Sequence, residues 1–577
     1  MIQELLAPIR EHFGQHPAVL AYLDRVQQDA VENSADFVPG EDDEHWWQAW
    51  ERMRRQRELS RFRVNPFVTH EPEEGAPVLF EENPTFYNLF GRQAYRGDFG
   101  RMETDLTLLE AGALQRAEGG FLILPADALF ASPGAWEGLR RFLQTGRVSI
   151  ENLGEQYGAL PTVALHPQPL SVDVKLILIG SGWFYRYLWY NDEVFRKSFG
   201  IRADFETEME RTAGHEAQIA GYIDRVARKE TLLPVEDNAI AAIIEQLSRW
   251  ASDQRKLSAR LLLARQLLVE ASAVAQQRQT TEEERHITDR DVEEALARIR
   301  YRQNALETRM DEMFRDGSYL IDVDGQVVGQ INGLSILEDA GYAFGRPNRI
   351  TARSYVGERG IVNIEREIEL SGPIHSKGVG ILQGYMTGTY GHDFPLIFGA
   401  SLCFEQMYDE IDGDSASCAE LCALLSSLAG IGLNQGIAVT GSVNQLGQVQ
   451  PIGAVNEKIE GFFRVCEIRG LTGRQGVVIP GTNLSSLMLD RRVCEAVKDN
   501  RFHIWAVSHV DEILTVLTGM PAGSKEADGK FTPGSLHARV YDRLRQISQL
   551  ARMDGREAER LRRHRSTSTP LQRFHRF

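Results

Sequence analysis

Asp412-Gly413-Asp414-Ser415-Ala416-Ser417 leads directly into an apolar helical run that ends at Gly430. The spacing predicts a helix over residues 415–429, with Ser415 at its positive end, where backbone N–H groups lack partners inside the helix. Gly413 permits the sharp approach that such a turn needs. Two uses of the turn are open. Ser415 or Asp414 can simply cap the helix, with Ala416 and Ser417 as ordinary first-turn residues. Alternatively, the hydroxyl is a nucleophile presented beside an oxyanion site. The second use requires a base, because a serine hydroxyl is a poor nucleophile until a neighbour takes its proton. A candidate lies in Pro451-Ile452-Gly453-Ala454-Val455-Asn456-Glu457-Lys458-Ile459, which places Lys458 near the start of a helix predicted over residues 456–465. Lysine is protonated in free water at neutral pH, and burial against apolar neighbours lowers its pKa by several units. The competing reading is a solvated helix lysine paired with Glu457 or Glu460.

Between the two lies the strand-like segment Gly436 to Gly447, which contains Val439-Thr440-Gly441. Around them stand Gly329-Gln330-Ile331-Asn332-Gly333-Leu334, the stretch from Gly345 to Thr351, Gly372-Pro373-Ile374-His375-Ser376-Lys377-Gly378-Val379, and Phe404-Glu405-Gln406. In this order and spacing the chain from about Gly317 to Met520 resembles the proteolytic domain of the Lon family, nearest its B-type branch. The resemblance implies an α+β domain with Ser415 as nucleophile, Lys458 as base and Thr440 orienting the lysine amine. Asp414 and Ala416 then support the nucleophile. It also implies a strand around His375 that lines the cleft. Asp412 and Glu405 are candidates for tuning the electrostatics. His375 keeps a rival Ser–His mechanism open, since that is the commoner solution. No metal site is expected.

Upstream, residues 1–77 read as charged helical segments with Trp46, Trp47 and Trp50 close together, and the turn-rich stretch 71–77 marks a boundary. Such a cluster suits a helix docking its aromatic face on a neighbouring domain better than a surface for unfolded substrate. From 78 to 205 short apolar strands, including Gly120–Leu124 and Val174–Ile179, alternate with helices, which predicts a parallel α/β sheet. Residues 206–316 turn helical, over 214–229, 237–251, 258–277 and 289–303, the last opening on the cap Thr288-Asp289-Arg290-Asp291. This arrangement, with the stretches Asn83–Gly91 and Ala111–Gly120, resembles the AAA+ module in the divergent form found in some Lon homologues. The chemistry of that module is missing. No Gly-x-x-x-x-Gly-Lys-Ser/Thr string is present, and Phe121–Leu124 is followed by Pro125-Ala126 with only Asp127 nearby. Gly180-Ser181 stands at the sensor position, Arg260 at the phosphate-sensing place and Arg196 at that of an inter-subunit finger; each reads more simply as a surface residue. No nucleotide-binding residue is assigned, and ATP, although most of the family use it, is not an expected requirement.

The 577 residues include 64 Lys and Arg against 81 Asp and Glu, a net charge of −17 that argues against a chain built to grip nucleic acid. With 42% hydrophobic residues it has ample material for several cores. Neither a signal peptide nor an apolar run of membrane-spanning length is read at any point, so a cytoplasmic protein is expected. Five cysteines, Cys403, Cys418, Cys422, Cys466 and Cys494, lack a metal-ligand pattern and suit reduced packing thiols. Residues 522–577 form a basic tail with Arg552, Arg556, Arg560, Arg562, Arg563, Arg565, Arg573 and Arg576 after a helical stretch over 537–551; an acidic partner, nucleic acid or a neighbouring subunit are open as its partners, and a disordered solubilising segment is the simpler reading. The fold class expected is α/β and α+β multidomain: a helical start, an AAA+-like core with a helical lid, a Lon-type domain over 317–521, then the tail. The function expected is a serine endopeptidase acting on unfolded or flexible proteins as a homohexamer. The alternatives are an ATP-dependent protease and a non-catalytic adaptor.

Overall fold

The computed structural model describes residues 2–37, 62–70, 75–98, 101–152, 165, 167–278, 285–527 and 529–566. Trp46, Trp47, Trp50, Arg573 and Arg576 lie outside the described residues, as do the side chains of Arg556, Arg560, Arg562, Arg563 and Arg565. The chain divides into two compact units, residues 1–205 and 206–577. Among the described residues no helix is long and apolar enough to cross a membrane.

In the first unit, helices Ile2–His12 and Pro17–Glu32 are tied by Arg10, which meets Asp24 at 2.6 Å and Gln27 at 3.2 Å. Strands Val78–Phe80, Phe121–Pro125 and Lys175–Ile179 make a three-stranded parallel sheet in that order. Period-two alternation sends Leu79, Leu122, Leu124, Leu176 and Leu178 into a core with helices Phe86–Phe90 and Ala135–Thr145. The other face carries exposed Val78, Phe80, Ile177 and Ile179, so these strands are buried on one face rather than two. Asp127 is exposed in the first turn of helix Ala126–Ala131, Ser181 caps helix Gly182–Asn191, and Arg196 is exposed.

The second unit begins with four helices, Ala213–Lys229, Asp237–Ala251, Leu261–Gln277 and Asp289–Gln303, around one apolar cluster. Thr288 caps the last of them, its N–H donating to Asp291 at 2.8 Å. The third begins later than the sequence suggests, because Lys256–Ser258 pairs as a strand with Glu208–Glu210. Arg260, exposed, sits just before it.

The rest is built on a seven-stranded mixed sheet with the order Gly360–Asn363, Gly399–Phe404, Tyr342–Tyr355, Gln330–Asp339, Ile437–Val439, Gly476–Pro480, His503–Val507. Its parallel half is covered on both faces. Ile437, Val439 and Val478 face the helix Ser417–Ala429, hereafter the serine helix, whereas Ala438, Val477 and Ile479 face Val455–Arg469, the lysine helix. The two helices therefore sit on opposite sides of one sheet. The four-helix cap is bonded to the lysine helix: Arg249 donates to both carboxylate oxygens of Glu460 and to the Met488 carbonyl, each at 2.7 Å. Arg464 pairs with Asp311 at 2.8 Å and with buried Glu307.

Two expectations need correction. Residues 373–390 are helical, not a strand lining a cleft, because Pro373 starts a helix whose first N–H groups are met by Asp412. The segment after 522 is not a separate tail: helix Leu536–Ser566 buries Leu536, Val540, Leu544 and Ile547 in the core that holds the serine helix. Their spacing of four, four and three residues is an apolar helical stripe.

Gly345 and Gly461 let the lysine helix press on the sheet. A Cβ on Gly345 would stand 2.0 Å from the Glu457 carbonyl oxygen and 2.7 Å from the Lys458 Cα. Gly345→Ala is expected to destabilise the protein by about 2 kcal/mol and to lower peptidase turnover by moving the lysine helix, as read by thermal melting and initial rates. A variant that melts and turns over like the parent would show that this contact does not set the lysine's place.

Candidate active site

Ser415 lies in a turn two residues before its helix begins, half-buried, with the buried Ala416 as the helix cap. Gly413 has φ +123°, a conformation that side chains beyond glycine rarely adopt, and this bend aims the turn back over the sheet. The turn is stitched to the chain leaving the central strand. Gly441 N–H donates to the Ser415 carbonyl at 2.8 Å, Cys418 N–H to the Gly441 carbonyl at 3.1 Å, and Thr440 Oγ1 to the Ser415 carbonyl at 3.3 Å. Ser442 Oγ donates to Asp414 at 2.8 Å, and Val443 N–H to Ser417 Oγ at 3.0 Å. The first helical N–H groups, of Ser417 and Cys418, are thus engaged with Asp414 and Gly441. Among the described residues, no partner is recorded for the N–H groups of Ser415 and Ala416, so those are the donors open to an incoming oxygen.

Lys458 is in the first turn of the lysine helix and only 3% exposed. Ala454 starts that helix at φ +53°, a strained conformation for alanine, and Asn483 holds the preceding turn through the N–H and carbonyl of Ile452, both at 2.9 Å. The lysine reaches past the carboxyl end of strand Ile437–Val439, where Nζ donates to Ser415 Oγ at 2.8 Å and to Thr440 Oγ1 at 3.3 Å. Its pKa falls to about 8 because burial disfavours the ammonium, against an opposing pull from Asp414. A neutral amine turns the first contact around: the hydroxyl then donates to nitrogen, which is the geometry of proton removal.

Neither His375 nor Glu405 hydrogen-bonds Ser415 or Lys458 among the described residues. His375 is 1% exposed, its Nε2 3.6 Å from Glu420 Oε1 and its ring edge-on to Phe404. Burial lowers its pKa. Glu405 accepts from Thr351 Oγ1 at 2.7 Å on the sheet. The structure therefore brings Ser415, Lys458, Thr440, Asp414 and Ala416 together and leaves His375 and Glu405 apart from them. Asp412, read as able to tune the electrostatics, instead joins the turn to helix Pro373–Tyr390, and the sequence reading missed Ser442, Asn483 and Glu420. Only Glu420 carries a signal, as the one carboxylate in a helix without other charged residues.

Residues 410–519 match the Lon protease (S16) C-terminal proteolytic domain, residues 74–206 the LonB-like AAA domain and residues 234–302 the archaeal LonB AAA+ ATPase lid domain. A Lon protease homolog of Escherichia coli (strain K12) is 34% identical over 448 residues, 77% of this chain and 73% of that relative. The chain belongs to the Lon protease family. A Lon protease homolog of Haemophilus influenzae is 33% identical over 441 residues, 76% of this chain and 71% of the relative. An archaeal Lon protease of Archaeoglobus fulgidus is 24% identical over 411 residues, 70% and 62% of the two chains. Membership of the Lon family makes this a peptidase fold with an AAA-like domain and lid, consistent with the mixed α/β architecture.

Burying Lys458 has a measurable consequence. Below about pH 8 the ammonium is charged in both folded and unfolded chains, so its full burial penalty, about 3 kcal/mol for the drop from the usual 10.5, weakens the fold. Between about 8 and 10.5 the folded protein releases its proton first and the penalty fades. Lys458→Met is therefore expected to raise stability at pH 7 by up to about 3 kcal/mol, a gain that shrinks as pH climbs through that window, read by denaturant melts at several pH values. Parallel melts with a constant difference would contradict a depressed lysine.

Proposed function

We propose that this Lon-family chain is a serine endopeptidase whose nucleophile is Ser415 and whose general base is Lys458, acting on unfolded or flexible proteins. The single observation that carries the reading is the 2.8 Å contact between Lys458 Nζ and Ser415 Oγ, made by a lysine that burial brings to about 8. Ser415 Oγ attacks the scissile carbonyl carbon as Nζ takes the hydroxyl proton, and the oxyanion is received by the N–H groups of Ser415 and Ala416. The intermediate collapses when the lysine passes that proton to the leaving amine, which leaves an ester on Ser415. Water, deprotonated by the same amine, hydrolyses the ester and restores the hydroxyl. Thr440 accepts from Nζ and donates to the Ser415 carbonyl, which holds one amine hydrogen away from the serine and leaves the lone pair facing Oγ.

Hydrolysis of unfolded chains is proposed to run without ATP. The strand Phe121–Pro125 passes into helix Ala126–Ala131 with only the exposed Asp127 nearby, and the chain has no phosphate-loop string. The match of residues 74–206 to an AAA domain favours a second reading, an ATP-dependent protease. We take the working assembly to be a homohexamer enclosing its active sites, as the family resemblance implies.

Degradation of a casein-type substrate separates the readings. Ser415→Ala is expected to abolish cleavage, with assembly unchanged by sedimentation, while millimolar ATP leaves the parent rate unaltered. Acceleration by ATP of about tenfold would install the second reading, and a fully active Ser415→Ala would remove the first. Thr440→Val should lower kcat by about tenfold with KM nearly constant, because the hydroxyl orients the amine and does not touch substrate. A rise in KM at constant kcat would place Thr440 in substrate binding instead.

A further inference from the structure

In the core that adjoins the nucleophile turn, four buried polar side chains carry unpartnered atoms. His375 Nε2 and Glu420 Oε1 face each other at 3.6 Å, and neither has a hydrogen-bond partner among the described residues. Nearby, Glu365 Oε1 accepts from the Phe404 N–H at 2.7 Å while its Oε2 is unpartnered, as is Asn363 Nδ2. Unsatisfied buried polar atoms are expensive, so a group of them in one core calls for a reason. A metal does not supply it: among the described residues no three acidic, histidine or cysteine groups are arranged to hold one.

The placement of the pair supplies one. Glu420 stands in the first turn of the serine helix, and His375 in the first turn of helix Pro373–Tyr390. The backbone of Gly413, the residue at φ +123° two positions before Ser415, lies close enough to the His375 ring to pull its pKa upward. Asp412 Oδ1 accepts from the N–H groups of Ile374 and Gly413, at 3.0 Å each, and from that of His375 at 3.3 Å, so turn and helix are joined through main chain as well. We propose that Glu420 and His375 are positioning residues: the Glu420 carboxylic acid, facing His375 Nε2 at 3.6 Å, closes on it to donate a hydrogen bond and fix the imidazole, and so steadies the helix start that Asp412 ties to Gly413 and the turn that presents Ser415. This rests on Ser415 being the nucleophile.

The charged and titratable neighbours agree with a neutral pair. Burial and the Glu365 carboxylate raise Glu420 to about 8, so it is an acid at neutral pH and a hydrogen-bond donor. Burial lowers His375, against weaker upward pulls from Glu365, the Gly413 backbone and Asp412. Cys403 on the neighbouring strand is pushed up to about 12, by burial first and then by Glu365, and stays a neutral thiol. Above about pH 8 Glu420 ionises beside Glu365 and loses the proton that it donates to His375. Catalysis should therefore rise with pH as Lys458 becomes neutral and then fall as Glu420 ionises. The fold, too, should lose stability as pH rises from about 4.5 to about 8, because Glu420 is raised above its usual 4.5.

The test compares pH–rate profiles and kcat against KM for Glu420→Gln and Glu420→Leu, with Ser415→Ala alongside. The amide of Glu420→Gln still donates to Nε2 and does not titrate, so it should keep kcat within about threefold of the parent at pH 7 and lose the alkaline falling limb. Glu420→Leu should lower kcat by about tenfold or more with KM within about twofold. If the leucine variant does not fold, the glutamine profile decides alone. A glutamine variant that keeps the parent's alkaline limb, or a leucine variant with the parent's kcat, overturns the proposal. If Ser415→Ala remains active, it is the nucleophile assignment that fails.

Discussion

A lysine forced out of water at the end of a strand is the constraint that the rest of the structure serves. Strand Ile437–Val439 is short and wholly buried, and beyond its carboxyl end the chain runs through Thr440 and Gly441. Serine and lysine helices on opposite faces of the sheet can meet only there, past the strand's end, where no sheet separates them. Carboxyl ends of parallel strands are the usual place for sites in α/β sheets, and this geometry gives a local reason. The backbone bonds from Gly441 to Ser415, and from Cys418 to Gly441, make the strand end a fixed bracket for the nucleophile.

Holding an amine in that bracket opposes stability, and several features offset it. Helix Val455–Arg469 is pinned by Asn483 and Asn456 at its start, by the Gly345 and Gly461 approach along one side, and by ion pairs at Glu460 and Arg464. Glu307 and Asp311 belong to helix Ala305–Asp316, and Arg249 to the helical cap, so the lysine's support reaches outside the proteolytic sheet. Buried ion pairs add little net stability against apolar substitutes, yet losing one partner is costly. They suit a role in fixing where the helix lies.

Much of this was legible in the sequence where chemistry is local. Ser415 and Lys458 lie at a glycine turn and a helix start, which are short-range signals, but their pairing and the role of Thr440 came from the family resemblance; the four cap helices show clear period and an N-cap at Thr288. What depends on three-dimensional neighbours was not legible. His375 looked like a cleft residue and is buried against Glu420, because a Gly-Pro start followed by small residues reads equally as strand or helix. The 536–547 stripe was hidden by the arginines that follow it, although its apolar spacing is regular. Glu420 alone among the missed residues broke its local pattern, a carboxylate inside Ser417–Ala429, and such a break is itself a signal.

The most direct test of the account is a titration of the Lys458 amine itself, by NMR of protein labelled at the lysine side-chain carbon, assigned by the signal lost in Lys458→Met. The account predicts one lysine titrating at about 8, well below the others. A Lys458 signal that titrates at about 10.4, as a lysine in water does, would contradict it.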